Sequence, residues 1–136
     1  MPLRRVAVLG GGGTASSELP ELAEAMSAVG RLLAEQGIEV LHEPDAEGRA
    51  DGFIALPDGT TTLERLVAIC LDPQAADKPC GFLNLADYFS RLLKTLEDSV
   101  VERLVREIQR GRFIVERDPA NLLRAMLEFR SPETRR

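Results

Sequence analysis

The sequence predicts an α/β three-layer sandwich, in which five parallel strands form a Rossmann-like sheet with helices on both faces. Two observations predict this fold class. Short, continuous apolar runs, of the kind found in parallel strands buried on both faces, alternate along the chain with longer stretches whose apolar residues recur at helical spacing. Glycine-rich and Pro-Asp-Gly turns separate the short apolar runs from the stretches with helical spacing. This is expected where helical crossovers join parallel strands.

The first unit of the chain is a strand, a glycine-rich turn and a helix. Val6–Leu9 is a continuous apolar run that ends at four consecutive glycines. A helix is expected over Leu19–Gln36, with Gly37 as its stop, because apolar residues recur there at helical spacing. Ile38–Leu41 is the second predicted strand. The apolar helical positions are Leu22, Met26, Val29 and Leu33.

The second unit begins with the third predicted strand, Phe53–Leu56, which breaks at Pro-Asp-Gly. A helix then opens at Thr60 to Thr62 and continues to Leu71. It is apolar nearly all round, so it needs cover on more than one side. A fourth strand contains Phe82 and Leu83.

The last third of the chain carries a long apolar stripe and a fifth strand. The stripe over residues 85–108 is either one helix bent near Asp98 or two helices. Phe113–Val115 is the fifth strand, and Asp118 and Pro119 are typical N-cap and first-turn residues of a final helix. We therefore expect a single Rossmann-like domain over residues 1–130 and a flexible tail over residues 131–136.

Composition limits the classes of function. The 136 residues are 44% hydrophobic and 29% charged, which is typical of one globular domain. A net charge of −5 argues against sequence-independent nucleic-acid binding, which needs a basic surface. The N-terminal apolar run is too short for a signal peptide or a membrane span, so we expect no membrane partner and a cytoplasmic location. Two cysteines, expected to be buried thiols, and one histidine predict no metal site.

The turn after the third strand is the first candidate site. A helix that starts there would present free backbone N–H groups and the positive end of its dipole above the sheet, which together suit a phosphate or a carboxylate. The alternative is an ordinary strand-to-helix turn capped by a threonine.

The glycine run after the first strand would lie beside that turn, at the point where the strand order reverses. Its spacing fits a dinucleotide fingerprint formally, but a loop approached closely by a phosphate or a base, or a purely structural turn, fits it too. The candidate phosphate- or nucleotide-binding residues are Gly10, Gly11, Gly12, Gly13, Thr14, Pro57, Asp58, Gly59, Thr60, Thr61 and Thr62.

The segment Leu56-Pro-Asp-Gly-Thr-Thr-Thr-Leu-Glu-Arg65 resembles the Pro-Gly-Gly-x-Gly-Thr-x-x-Glu signature of the Lonely Guy family, which comprises cytokinin-activating nucleoside 5′-monophosphate phosphoribohydrolases often mislabelled lysine decarboxylases. The likeness continues through Lys78–Asn84 and Tyr88-Phe89, and covers most of residues 53–130. Family members carry an additional segment between the second strand and the signature. If that segment is an edge unit, the expected strand order is 2-1-3-4-5.

The resemblance implies hydrolysis of the N-glycosidic bond of a nucleoside 5′-monophosphate, without a cofactor. Glu64 would stabilise an oxocarbenium-like ribose while water attacks C1′. The chain departs from the signature in three places. Asp58 and Thr61 replace glycines, and Arg65 occupies the position of the signature's glutamate. The alternative for Glu64 is a helix glutamate that complements the dipole.

One further difference affects the choice between catalysis and binding. The family's Met-His-x-Arg-Lys stretch has no secure counterpart, although Arg49 lies close enough in sequence to substitute for its arginine. A catalytically inactive nucleotide- or phosphate-sensing protein is therefore the alternative function. Lysine decarboxylation is not expected, because nothing in the sequence resembles a pyridoxal-phosphate lysine site.

Surplus apolar surface on the helices predicts a homodimer formed through helices rather than sheet edges. The helix that ends at Leu71 is apolar on more faces than one sheet covers, and the stripe over residues 85–108 adds further surface. The resemblance agrees, because Lonely Guy proteins are helix-packed dimers whose sites take residues from both subunits. Arg65 and Arg91 are the candidate cations that a partner could supply.

Overall fold

Five parallel strands form one sheet in the computed structural model, and, numbered along the chain, they lie in the order 2-1-3-4-5. The structure describes residues 3–9, 20–41, 49–56, 60–72, 78–84 and 88–129. The predicted fold class and strand order are confirmed. The tail predicted over residues 131–136 lies outside the described residues. The strands are β1 (Arg5–Leu9), β2 (Glu39–Leu41), β3 (Gly52–Ala55), β4 (Cys80–Leu83) and β5 (Phe113–Glu116), and the helices are α1 (Pro20–Glu35), α2 (Thr60–Leu71), α3 (Tyr88–Leu93), α4 (Asp98–Gln109) and α5 (Pro119–Glu128).

The apolar strands are buried on both faces because helices cover both sides of the sheet. One core places α2, α3 and α4 against the sheet, and Phe89 of α3 stacks between Phe82 and Phe113 with ring centroids 5.7 Å apart on each side. The second core places α1 and α5 on the other face. Alternate residues of each strand contribute to the two cores, which is the arrangement of a three-layer sandwich.

The apolar stripe over residues 85–108 forms two helices rather than one bent helix. Glu97, at the N-cap position of α4, has φ −69° and ψ 152°, which is extended backbone and interrupts the helix. The predicted start of the last helix is confirmed, since Asp118 accepts a hydrogen bond from the Asn121 amide and Pro119 occupies the first turn. Gly37 follows α1 with φ 71°, a left-handed conformation that suits glycine at a helix end.

Asp51 fixes where β1 and β3 begin relative to each other. Its Oδ2 accepts hydrogen bonds from the backbone amides of Arg4 (2.9 Å) and Arg5 (3.0 Å), and its own amide donates to the Arg5 carbonyl (2.8 Å). These bonds lead into a register in which Leu9 is paired with Ala55. The two strands therefore reach the carboxyl edge of the sheet together.

A close approach between β4 and α5 depends on a glycine. A Cβ built on Gly81 would lie 2.8 Å from Leu122 Cδ1 and 2.9 Å from Met126 Sδ. Both side chains are buried, with 1% and 2% of their surface exposed. The missing side chain of Gly81 lets α5 pack directly on the middle of the sheet.

Candidate functional site

The carboxyl ends of β1 and β3 define the site. The Leu56 amide donates a 3.0 Å hydrogen bond to the Leu9 carbonyl, so the last described residues at the ends of β1 and β3 lie side by side. The connection after β1 leads towards β2, and the connection after β3 leads towards β4. The strand order therefore reverses between β1 and β3, which is where open α/β sheets bind ligands.

The helices after these two strands pack on opposite faces of the sheet. Residues of α1 belong to the core on one face, and residues of α2 belong to the core on the other. The helices that follow β1 and β3 therefore lie on opposite sides of the sheet. In open α/β sheets, this arrangement marks the crevice that binds ligands.

The N-terminus of α2 lies at this carboxyl edge. The helix begins at Thr60, four residues after the buried Leu56. The first four residues of any α-helix have backbone N–H groups without an intrahelical acceptor, and here those residues are Thr60 to Leu63. The edge therefore offers several amide donors and the positive end of a helix dipole.

The predicted site residues fall partly outside the described residues. Gly10–Thr14 and Pro57–Gly59 lie outside them, so their predicted binding role stays a prediction. Thr60, Thr61 and Thr62 form the first turn of α2, although their side chains are not among the described parts of the chain.

Glu64 also belongs to α2, and its side chain likewise lies outside the described parts. It is the fifth residue of the helix, and the described first turn contains no acidic residue. Its interpretation as a first-turn glutamate that complements the dipole is therefore weakened, because that effect fades after the first turn.

Arg49 lies at the wrong edge of the sheet to act in this crevice. It precedes β3 and is exposed, whereas the site follows the carboxyl end of that strand. Four strand residues at about 3.3 Å each separate the two edges by more than 10 Å, beyond the turns themselves. Within one chain, Arg49 is a surface charge and not a replacement for the family arginine.

A second feature of the carboxyl edge was not predicted from the sequence. An open cleft of about 330 Å³ lies beyond the ends of β4 and β5. The Oδ1 atom of Asn84 accepts a 3.0 Å hydrogen bond from the Phe89 amide, which joins the end of β4 to α3. Carboxylates outnumber the guanidinium in the cleft, so it suits hydroxyl or amine donors better than a phosphate. The lining residues are Asn84, Val115, Glu116, Arg117, Asp118 and Asn121.

A sequence signal for this cleft was present. Polar residues follow directly after two strands, at Asn84 and at Arg117-Asp118, and carboxyl ends of neighbouring parallel strands meet at one edge of a sheet. The distance of the cleft from the β1–β3 crevice is two strands along the sheet, or roughly 10 Å at the usual strand spacing. A ligand the size of a nucleotide could extend from one towards the other.

Comparison with known proteins places this geometry in a family. The sequence profile described as "possible lysine decarboxylase" matches residues 38–126, which include the turn after β3, α2 and the cleft. The chain is similar to the probable cytokinin riboside 5′-monophosphate phosphoribohydrolase LOGL6 of Oryza sativa subsp. japonica, with 31% identity over 97% of this chain and 54% of the relative. It is also similar to the cytokinin riboside 5′-monophosphate phosphoribohydrolase LOG7 of Arabidopsis thaliana, with 33% identity over 98% of this chain and 63% of the relative.

The similarity does not extend over the whole of these relatives. The chain spans about half the length of the curated relatives it matches, and 41% of the rice protein LOGL2, to which it is 32% identical.

In the described part of the chain, no helix is both long and apolar enough to cross a membrane.

Proposed function

Because the chain belongs to the Lonely Guy family, whose profile carries the description "possible lysine decarboxylase", we propose that it binds a nucleoside 5′-monophosphate in the β1–β3 crevice and hydrolyses its N-glycosidic bond. The products would be the free base and ribose 5-phosphate. The observation that carries the proposal is the start of two adjacent loops and of α2 at one edge of the sheet. The relatives described above are named for cytokinin riboside 5′-monophosphates, and the experiment below identifies the base that this chain recognises.

The phosphate is assigned to the amides of the α2 N-terminus and to the glycine-rich loop. A helix N-terminus binds anions through its N–H groups and dipole, and threonine hydroxyls can add donors. This assignment places the ribose between the two loops and the base towards the cleft that contains Asn84 and Glu116. Amide and carboxylate groups can pair with the polar edge of a base.

Glu64 is assigned the chemical step. It lies one turn along α2 from the amides proposed to hold the phosphate, at a rise of about 1.5 Å per residue. In our proposal its carboxylate stabilises the positive charge that develops on the ribose as the bond to the base breaks, while a water attacks C1′. The base leaves with the bonding electron pair and takes up a proton.

The alternative is a binding protein that has lost catalysis. Asp58 and Thr61 replace signature glycines, and Arg65, at the strict glutamate position, is exposed on α2. A carboxylate beside a phosphate repels it, and a Cβ restricts close approach of the backbone. A protein of this kind would sense a nucleotide or phosphate without converting it.

One experiment separates these functions. The purified chain is incubated with AMP and related monophosphates, and the base and ribose 5-phosphate are measured by chromatography, with binding followed by melting temperature. The hydrolase is supported if Glu64→Gln no longer releases the base while AMP still raises its melting temperature as in the parent chain. Glutamine keeps the shape of the glutamate side chain and loses its charge. Glu102→Gln, an exposed change on α4, is the matched control and should keep full activity.

The other outcomes of this experiment are equally specific. Stabilisation by AMP without product indicates the sensing protein. Neither stabilisation nor product would remove the nucleotide site. Full activity in Glu64→Gln would assign the chemistry to another residue.

We also propose a homodimer formed through helices, with α4 as the contact surface. The apolar surface expected to be left exposed on α2 is instead covered within one chain. The core that α4 also joins buries Leu66, Val67, Ile69 and Cys70. Among the described residues, the two most exposed large apolar side chains lie instead on α4, where Val105 and Ile108 are 43% and 38% exposed, and Leu127 of α5 follows with 36%. Only Leu104 of α4 is buried among its described residues.

Light scattering tests the dimer. A mass of about twice the 14.9 kDa chain is expected at micromolar concentration. Val105→Glu should yield the monomer, because a buried unpaired charge is costly at an interface, whereas Ser99→Glu, an exposed change elsewhere on α4, should not. A monomeric parent chain would refute the interface and any site shared between subunits.

A further inference from the structure

A buried cluster of reactive groups lies at the opposite edge of the sheet from the proposed nucleotide site. Arg112, which precedes β5, is only 3% exposed. Its guanidinium donates a 2.9 Å hydrogen bond to Glu107 Oε1 and another of 2.9 Å to the Lys78 carbonyl. The two terminal nitrogens also face sulfur atoms, at 3.7 Å for Cys80 Sγ and 3.5 Å for Cys70 Sγ.

The two cysteines come together through the packing of α2 on the sheet. Cys70 lies in the last turn of α2, and Cys80 is the first residue of β4. Both are free thiols with 0% of their surface exposed. The two terminal nitrogens of one guanidinium each contact one of the sulfurs, which places the Cys70 thiol to donate a hydrogen bond to Cys80. The sulfurs are therefore neighbours and not merely members of the same core.

The charges around the pair distinguish the two thiols. The hydrogen bond from Cys70 lowers the pKa of Cys80, burial opposes this, and the charge of Arg112 lowers it further. The same hydrogen bond and burial raise the pKa of Cys70. The carboxylate of Glu107 raises the pKa of both thiols. Cys80 is thus the better nucleophile and Cys70 the proton donor beside it.

We propose that Cys70 and Cys80 are a peroxide-oxidisable dithiol that closes to an intramolecular disulfide linking the end of α2 to β4. The Cys80 thiolate attacks one oxygen of hydrogen peroxide, so that an S–O bond forms, the O–O bond breaks and hydroxide leaves with the proton of Cys70. The Cys70 thiolate then attacks the Cys80 sulfur, so that the S–S bond forms and the S–O bond breaks. Hydroxide leaves and is protonated. Two thiols and one peroxide give one disulfide and two waters.

Access to the pair requires a small local opening. Buried thiols are ordinarily inert, but activated thiols share an electropositive surrounding, which Arg112 supplies. The cover over the cluster is thin, since the side chain of Glu107 is 17% exposed and Lys78 is partly exposed. We therefore expect oxidation in the native protein to be slower than for surface thiols and limited partly by opening.

Mass spectrometry of the native, fully reduced chain tests the proposal. Hydrogen peroxide is added, quenched with catalase, and free thiols are alkylated under denaturing conditions. Cleavage before Asp72 and Asp77 then separates the two cysteines, because trypsin cuts poorly at Lys78-Pro79. The expected product is one linked pair of peptides that dithiothreitol separates. Circular dichroism confirms that the oxidised chain is folded.

Variants test the role of the cluster. In Cys70→Ser, peroxide should leave a sulfenic acid on Cys80 that dimedone traps, and no linked peptides should form. Glu107→Gln should accelerate closure, because loss of the carboxylate lowers the pKa of Cys80 and so increases its thiolate fraction, a gain only partly offset by the weaker nucleophilicity of the thiolate. Glu102→Gln, on the exposed side of the same helix, should close at the parent rate.

Several results would overturn the proposal. One is a disulfide that forms only when the protein is unfolded in urea. Another is a disulfide between two chains, seen as a doubled mass on a non-reducing gel. A third is folded protein in which both thiols can still be alkylated after peroxide. A Glu107→Gln variant that is folded and closes at the parent rate would show that the charged cluster does not control the reaction.

Discussion

Gly81→Ala should destabilise the protein by overfilling the contact between β4 and α5. The new Cβ would lie 2.8 Å from Leu122 Cδ1, 2.9 Å from Met126 Sδ and 3.3 Å from Leu122 Cγ. Carbon and sulfur atoms of this kind prefer separations of about 3.5–4.0 Å, so the neighbours must retreat by nearly 1 Å. They cannot swing into solvent, because both side chains are almost completely buried.

The expected loss follows from two opposing effects. Overpacking a well-filled core costs about 1–3 kcal/mol, whereas replacing glycine by alanine inside a strand recovers about 0.5–1 kcal/mol. The net change in the free energy of unfolding should be a loss of about 1–2 kcal/mol. With a urea slope of about 2 kcal/mol per molar, in the middle of the usual range, the midpoint should fall by roughly 0.5–1 M.

Urea unfolding followed by circular dichroism measures this change, with Gly30→Ala as the control. Gly30 lies in α1 with no described atom within 4 Å of the position that an added methyl group would occupy, so alanine there should stabilise by about 0.5–1 kcal/mol. The same chemical change thus has opposite signs at the two sites. In the double variant Gly81→Ala, Leu122→Ala, the loss should be smaller than the sum of the two single losses, because two of the three close contacts disappear.

A Gly81→Ala variant as stable as the parent would refute the packing of α5 on β4. Strict additivity with Leu122→Ala would refute it independently, since residues in contact couple.

Three further changes test the fold and the proposed site. Asp51→Ala should cost about 1 kcal/mol in urea unfolding, because two backbone amides lose their acceptor, and Asp51→Asn, which keeps one oxygen, should cost less. Asp118→Ala should cost about 1 kcal/mol because it removes the cap of α5. Its control, Glu97→Ala, should change stability by under about 0.5 kcal/mol, because the Glu97 side chain caps no described amide of α4. Asp58→Gly should increase the stabilisation by phosphate in a thermal melt, because it removes a like charge from the proposed cradle, and a decrease would contradict that placement.

The fold could be predicted because its signals are local and agree with one another. The continuous apolar strands, the helical spacing of Val29 and Leu33, and the Asp118-Pro119 start each specify one element without reference to the others. The split between α3 and α4 could not be predicted in the same way. It depends on the extended backbone at Glu97, which no local residue pattern specifies.

The two sites also differ in whether the sequence alone could predict them. The crevice could be predicted because the strand order reverses at a single point, between β1 and β3, and open α/β sheets bind ligands at such a point. The glycine-rich and Pro-Asp-Gly turns follow these two strands in the sequence. The thiol cluster could not, because an arginine before a strand and two cysteines ten residues apart carry no sequence signal that they meet. Their contact arises only when the end of α2 packs on β4.

The core shared by α1 and α5 makes folding depend on sequence that is synthesised late. Val29 and Leu33 of the first helix pack with Leu122 and Met126 of the last. On the ribosome, the β1–α1 unit must therefore expose these apolar residues until about ninety more residues have been made. Contacts between residues so far apart in sequence also slow folding. The nascent chain is a natural client for chaperones, and a stop codon before α5 should yield aggregate rather than a smaller folded protein.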